Sequence, residues 1–187
     1  MGETSPWVAR WAHLVRPGGS VLDVACGHGR HLSFFAQLGA QVVGVDRSAE
    51  AIDAVSHLDL PWAETVLADI ENGPWPLIQD GQPRQFDAVV VTNYLWRALF
   101  PVMAQSLAPG GVLIYETFAS GNEAVGKPSR PDFLLGRGEL LRAFPDLRVL
   151  AFEDGFLAGP PRYVQRLVAV REEKPDASNR PPNRYPL

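Results

Sequence analysis

Asp23, Gly27, Gly29 and Asp46 are the residues of this 187-residue chain whose types and spacing first suggest chemistry. The run Val21-Leu22 meets Asp23, continues through Val24-Ala25-Cys26, breaks at Gly27 and Gly29, and enters Leu32-Ser33-Phe34-Phe35-Ala36-Gln37-Leu38. That pattern reads as a strand, a tight turn and the start of a helix, a geometry in which bare backbone can approach a ligand closely. A second apolar run, Gln41 to Val45, ends in Asp46. A glycine-rich turn after one strand and an acid at the tip of the next make a nucleoside-binding half-site.

The kind of nucleoside follows from what surrounds the glycines. A dinucleotide-binding turn of the form G-x-G-x-x-G needs its third glycine at position 32, which is Leu32. A Walker loop needs Gly-Lys-Ser/Thr after the turn, and none follows. Asp23, placed ahead of the glycines, would repel a pyrophosphate and favour a cation such as the ammonium of an amino acid.

On these residues the chain resembles the class I S-adenosylmethionine-dependent methyltransferases. Their first motif is matched by Asp23-Val24-Ala25-Cys26-Gly27-His28-Gly29, with Ala25 standing where the family usually has glycine. Further matches are Asp46 after strand two, Asp69-Ile70 after strand three, Phe86 to Asn93 at strand four, and Leu107-Ala108-Pro109-Gly110-Gly111 before strand five. Five motifs in order, from about Ser20 to Phe118, make the resemblance specific. It implies a Rossmann-like α/β fold with S-adenosylmethionine as cofactor. Asp23 would then meet the ammonium, Arg30 the methionine carboxylate, Asp46 the ribose diol and Asp69 the adenine amine. Ala25, Cys26, Gly27 and Gly29 would line the turn, with Arg47, Ile70, Thr92 and Asn93 beside the nucleoside. The short length resembles the compact tellurite-resistance and quinone-biosynthesis-like members, which implies a small-molecule acceptor.

The acceptor pocket is expected at the tips of strands four and five, the usual ligand edge of such a sheet. Candidates there are Asn93, Tyr94, Trp96, Arg97, Tyr115, Glu116 and Phe118. Glu116 is the candidate general base, set against a salt bridge at the strand end; Tyr94 and His31 are the other catalytic candidates. His31 faces either the acceptor cleft or solvent in this reading. Cys26 reads as a small packing residue, and Arg97, Arg130 and Arg137 as surface residues that could meet an anion. Two other readings stand beside the enzyme. One is a catalytically silent cofactor-binding module whose acceptor pocket Trp7, Trp11 or Trp96 would block; the other is a nicotinamide-dependent oxidoreductase.

The elements that must position these residues follow from periodicity. Trp7, Val8, Trp11, Leu14 and Val15 recur at helical spacing over residues 5–16, with Ser5-Pro6 as cap and first turn. Strands are expected at Ser20 to Val24, Gln41 to Val45, Glu64 to Leu67, Phe86 to Thr92 and Val112 to Phe118. Helices are expected at Gly29 to Leu38, Ala49 to Leu58, Leu95 to Leu107 and Arg137 to Phe144. Residues 70–85 read as loop, and Leu147 to Glu153 with Arg162 to Arg171 as a closing antiparallel pair. The alternation implies a single doubly wound α/β domain over residues 1–171, mostly parallel, with a cofactor half at 20–85 and an acceptor half at 86–171. Residues 172–187, rich in proline and polar residues, are expected to form a flexible tail.

With 46% hydrophobic residues the chain can build one core, and a net charge of −4 does not resemble a nucleic-acid binder. The single cysteine excludes an internal disulfide and a multi-cysteine metal site, so no metal is expected and the setting is cytoplasmic. The N-terminus lacks the basic start and apolar core of a signal peptide, and Pro6 stands where a myristoylation motif wants Ser or Thr. The expected partner is a small-molecule acceptor, with no nucleic acid and no membrane, and the protein a monomer or homodimer.

Overall fold

The computed structural model describes residues 2–173 and 184–187. Five strands form the parallel part of the sheet: β1 (Ser20–Val24), β2 (Gln41–Asp46), β3 (Ala63–Leu67), β4 (Phe86–Thr92) and β5 (Leu107–Phe118). Two more, β6 (Arg148–Ala158) and β7 (Pro161–Val170), close it, giving the order β3-β2-β1-β4-β5-β7-β6. Pairings from β3 across to β5 are parallel, and β7 pairs antiparallel with both β5 and β6. The order reverses between β1 and β4, the switch point at which ligands sit in open α/β sheets.

The helices are α1 (Pro6–Trp11), α2 (Arg30–Gln37), α3 (Ala49–Ser56), α4 (Phe100–Gln105) and α5 (Glu139–Ala143). One face of the sheet packs Val42, Val90 and Ile114 against Trp7, Trp11, Leu32, Phe35 and Val55 of the first three helices. The other packs Val24, Val89 and Tyr115 against Leu99, Phe100, Met103, Leu140 and Phe144. Because both faces are covered, Val89 to Val91 are fully buried, which is why β4 reads as an unbroken β-branched run.

Local signals hold where they are chemical. The Ser5 hydroxyl accepts from Trp7 N and Val8 N, and the Ser48 hydroxyl accepts from Ala51 N, as helix caps do. The expected helix Leu95 to Leu107 is shorter, a 3-10 turn at Arg97–Leu99 followed by α4, because Leu107 already belongs to β5. The Pro109-Gly110-Gly111 turn is therefore an irregularity inside β5, matched by a register shift opposite Phe86 and Ala88. Residues 70–85 are not all loop: Ile78–Gln79 and Gln82–Pro83 form a small hairpin. Buried Ile70 and Leu77 do the covering that a crossover helix would do. The closing strand β6 runs on to Ala158, past the expected Glu153.

The expected tail falls mostly on 174–183, outside the described residues. Of the end that is described, Tyr185 lies under the Arg148 guanidinium at 5.5 Å, and the Pro186 carbonyl is 3.1 Å from His13 Nε2. No described helix is long and apolar enough to cross a membrane.

Candidate functional site

A cavity of about 330 Å³ opens over the carboxyl ends of β1 to β5. Its walls come from four strand tips: Ala25 after β1, Asp46 and Arg47 after β2, Asp69, Ile70 and Glu71 after β3, and Asn93, Tyr94 and Leu95 after β4. Thr117 and Phe118 of β5, with Pro128 and Phe133 of the following loop, close the far side. Of the expected nucleoside residues, Ala25, Asp46, Arg47, Asp69, Ile70 and Asn93 therefore share one wall.

Two of them hold a backbone that side chains avoid. Ala25 has φ +56° and Asn93 φ +55°, each just past a strand tip. The left-handed region costs a non-glycine residue about 1–2 kcal/mol. It explains why glycine is usual at position 25 in the resembling family, and it turns the chain sharply so that backbone faces the cavity. Gly29, φ +76°, caps α2, where a methyl would meet Val55 Cγ2 at 2.8 Å.

Asp46 braces the turn. One carboxylate oxygen accepts from Gly27 N at 2.8 Å and the other from Ser48 N at 2.8 Å, so β2 and the glycine turn are locked together. Each oxygen keeps a lone pair for a further donor in the cavity. Asp69 accepts from Glu71 N, Asn72 N and Asn72 Nδ2. The side-chain bond from Asn72 is the largest cause holding its carboxyl below the usual range. It is thus a turn cap as well as a cavity residue. Arg47 reaches over to Glu71 at 3.4 Å across the mouth. Burial, and then the Glu71 charge, push the Tyr94 phenol above its ordinary value, so it stays a neutral hydroxyl.

Asp23 sits behind this wall, 1% exposed, with its Oδ2 buried and without a hydrogen-bond partner among the described residues. His31 Nδ1 is 3.7 Å from that oxygen. The expectation that His31 faces cleft or solvent is corrected: the ring is 1% exposed, and its Nε2 accepts from Ser5 N at 3.3 Å. The neighbouring Arg30 does not stand free at the helix start. It donates to the Glu3 carbonyl at 3.3 Å and to Thr92 Oγ1 at 3.1 Å. The N-terminal segment thus lies across Arg30 and His31, an arrangement that residues 26 and 27 positions apart in sequence do not announce.

Cys26 is a packing residue. Its Sγ fills the space beside Gly44, where a methyl would come within 2.7 Å of it and 2.6 Å of Leu32 Cδ1. Burial, and then the Asp23 and Asp46 charges, hold the thiol protonated. Leu32, at the third-glycine position, is used in the same contact.

Glu116 is not on the cavity wall. It is 1% exposed, receives Arg166 Nε on Oε2 and the Ser5 hydroxyl on Oε1 at 3.1 Å, and lies 3.5 Å from Arg162 Nη2. Both carboxylate oxygens are thus already engaged, and neither faces the cavity. The ion pair at the strand end is what this geometry supports. Arg97, another candidate, is engaged in holding the acceptor-side loop, donating to both Glu139 oxygens and to the Asp132 and Leu134 carbonyls. Tyr115 is fully buried and donates to the Tyr94 carbonyl at 3.0 Å. Trp7 and Trp11 are core residues, and Trp96 packs against the opposite core.

Comparison with known proteins agrees with this architecture. A methyltransferase-domain family model matches residues 21–111. The chain is 31% identical over 160 residues to a demethylmenaquinone methyltransferase of Corynebacterium urealyticum, covering 73% of this chain and 66% of that one. It is 32% identical over 111 residues to a ubiquinone biosynthesis O-methyltransferase of Xanthomonas campestris pv. campestris, covering 57% of this chain and 46% of that protein. The chain therefore spans about half the length of the ubiquinone-biosynthesis relatives it matches. In fold it is similar to TehB of Haemophilus influenzae, with a TM-score of 0.73 at 21% identity over 88% of this chain and 61% of that one. With its five ordered motifs and its reversed sheet order, the chain belongs to the class I S-adenosylmethionine-dependent methyltransferases.

Proposed function

We propose that this chain transfers a methyl group from S-adenosylmethionine to a small-molecule acceptor by in-line displacement. The observation that carries the reading is the convergence of Ala25, Asp46, Asp69 and Asn93, from four strand tips, on one cavity. The donor set fits the cofactor. Asp46 has lone pairs for the ribose hydroxyls, and Asp69 with Ile70 suits the adenine edge. The buried Asp23 oxygen, which has no hydrogen-bond partner among the described residues and only His31 Nδ1 at 3.7 Å, suits the ammonium. The cofactor, when bound, supplies a methyl made electrophilic by sulfonium.

The chain's own contribution is alignment and exclusion of water, which can supply most of such a reaction's acceleration. Leu95, Phe118, Pro128 and Phe133 make the far wall apolar. The neutral Tyr94 hydroxyl orients a polar acceptor atom by hydrogen bonding rather than by taking a proton. None of Trp7, Trp11 and Trp96 lines the cavity, which favours an enzyme over a silent binding module. We place the reaction in the cytoplasm, with the protein acting as a monomer or homodimer and without nucleic acid.

Titration calorimetry with S-adenosylmethionine and S-adenosylhomocysteine tests the reading. Binding of both near 1:1 is expected; no binding by the folded chain would overturn it.

A further inference from the structure

Two arginines of β7, Arg162 and Arg166, face the same carboxylate, Glu116, and they are not equivalent. Arg166 is fully used. It donates to Glu116 at 2.5 Å and to Glu153 at 3.0 Å, and its guanidinium lies 5.6 Å from the Trp7 ring. Arg162 has one long contact, 3.5 Å to Glu116 Oε1, and its Nε is buried with no hydrogen-bond partner among the described residues. A buried guanidinium donor left unpaired is costly, and the fork it belongs to is shaped for two oxygens of one anion.

The charge count points the same way. The buried members are Glu116 at 1% side-chain exposure, Arg166 at 12% and Arg162 at 18%. Together they carry one net positive charge. Glu153, half-exposed, is shared between Arg166 and Arg10 and does not reach Arg162. None of the three lines the cavity itself, but the strand that carries the two arginines pairs with the cavity's wall. Phe118, on its wall, pairs across the sheet with Val164, two residues from Arg162 on the same face of β7. Arg162 is thus at the acceptor end, beyond the strand tips that hold the nucleoside residues.

We propose that Arg162 anchors the acceptor, and that the acceptor carries a carboxylate or a comparable oxyanion beside the atom that is methylated. The proposal rests on the methyl-transfer reading above. Glu116 is then a positioning residue: it holds the Arg162 head group at the site edge and tempers its charge.

The experiment uses the full chain saturated with S-adenosylhomocysteine, with benzoate and benzamide as probes of one shape and different charge, followed by ligand-observed NMR. Benzoate is expected to bind at least about tenfold more tightly than benzamide, as one charge-assisted pair provides. Arg162→Met should abolish that difference, and Arg162→Lys should keep part of it. Glu116→Gln, which removes the competing carboxylate, should strengthen benzoate binding and leave benzamide unchanged. A purely structural arginine would not produce these opposite responses. Equal or absent binding of the two probes by the loaded wild-type chain overturns the proposal, as does a benzoate preference that survives Arg162→Met. Calorimetry of S-adenosylhomocysteine, run first on each variant, separates the two readings: its failure in the wild type removes the methyl-transfer reading itself and this proposal with it.

Discussion

At the scale of single residues, Asp46 has two tasks, and one mutation removes both. Its carboxylate ties Gly27 N and Ser48 N together, and its remaining lone pairs face the cavity. Asp46→Ala is expected to weaken S-adenosylmethionine binding by about 1–3 kcal/mol, the cost of losing hydrogen bonds to a charged group. Calorimetry measures it, and an unchanged affinity would remove Asp46 from the site. Gly44 is a second single-residue test. A methyl there would overlap Cys26 Sγ and Leu32 Cδ1, which sit directly beneath the glycine turn. Gly44→Ala should lower stability by about 1–3 kcal/mol through overpacking. A thermal melt that does not move would show that the turn yields freely.

At the scale of elements, Ser5 ties the start of α1 to buried groups behind the cavity. Ser5 caps its own helix through Oγ, donates that hydroxyl to Glu116, and offers its backbone N–H to His31. Ser5→Ala removes the cap and one partner of a buried carboxylate. The expected loss is about 1–2 kcal/mol, read as a lower urea midpoint. A midpoint within error of the wild type would mean that α1 is held by Trp7 and Trp11 alone. Across the sheet, the loop after β5 is held by Arg97 through Glu139 and two carbonyls, so the apolar wall that includes Phe133 is fixed by an α4-side residue and not by its own sequence.

At the scale of the molecule, the edge of the sheet away from the site is pinned by Asp87. It accepts from Ser20 N at 2.7 Å and from Ser20 Oγ, and pairs with Arg16 at 2.7 Å, joining the start of β1, the segment after α1 and the start of β4. Partial burial pushes its carboxyl up, but the bonds from Ser20 and Arg16 outweigh it and leave the value below the ordinary 3.8. A depressed folded value means stability that is present above 3.8 and lost as pH falls through the folded value. Asp87→Asn should therefore cost about 1 kcal/mol at neutral pH, the exposed Arg16 partner adding little, with the gap to wild type closing in strong acid. Parallel urea titrations at the two pH values check this; a gap that stays constant with pH would exclude ionised Asp87 as its source.

The parts of this protein legible in its sequence are those set by local chemistry. The strand at Phe86–Thr92 follows from an apolar run buried on both faces, the caps at Ser5 and Ser48 from side-chain oxygens within reach of the next turn, and the cavity acids Asp46 and Asp69 from strand tips followed by turn residues. The family follows from the order of such motifs. What the sequence leaves open is set by contacts between distant elements. Glu116 reads from sequence as either a base or a salt-bridge partner at a strand tip, and only the arrival of Arg162 and Arg166 from β7 selects the ion pair. His31 looks available at a helix start, and only the return of Ser5 over it buries it. A residue's type is written in the chain, but its protonation, exposure and partners depend on which groups the fold brings within a few ångströms.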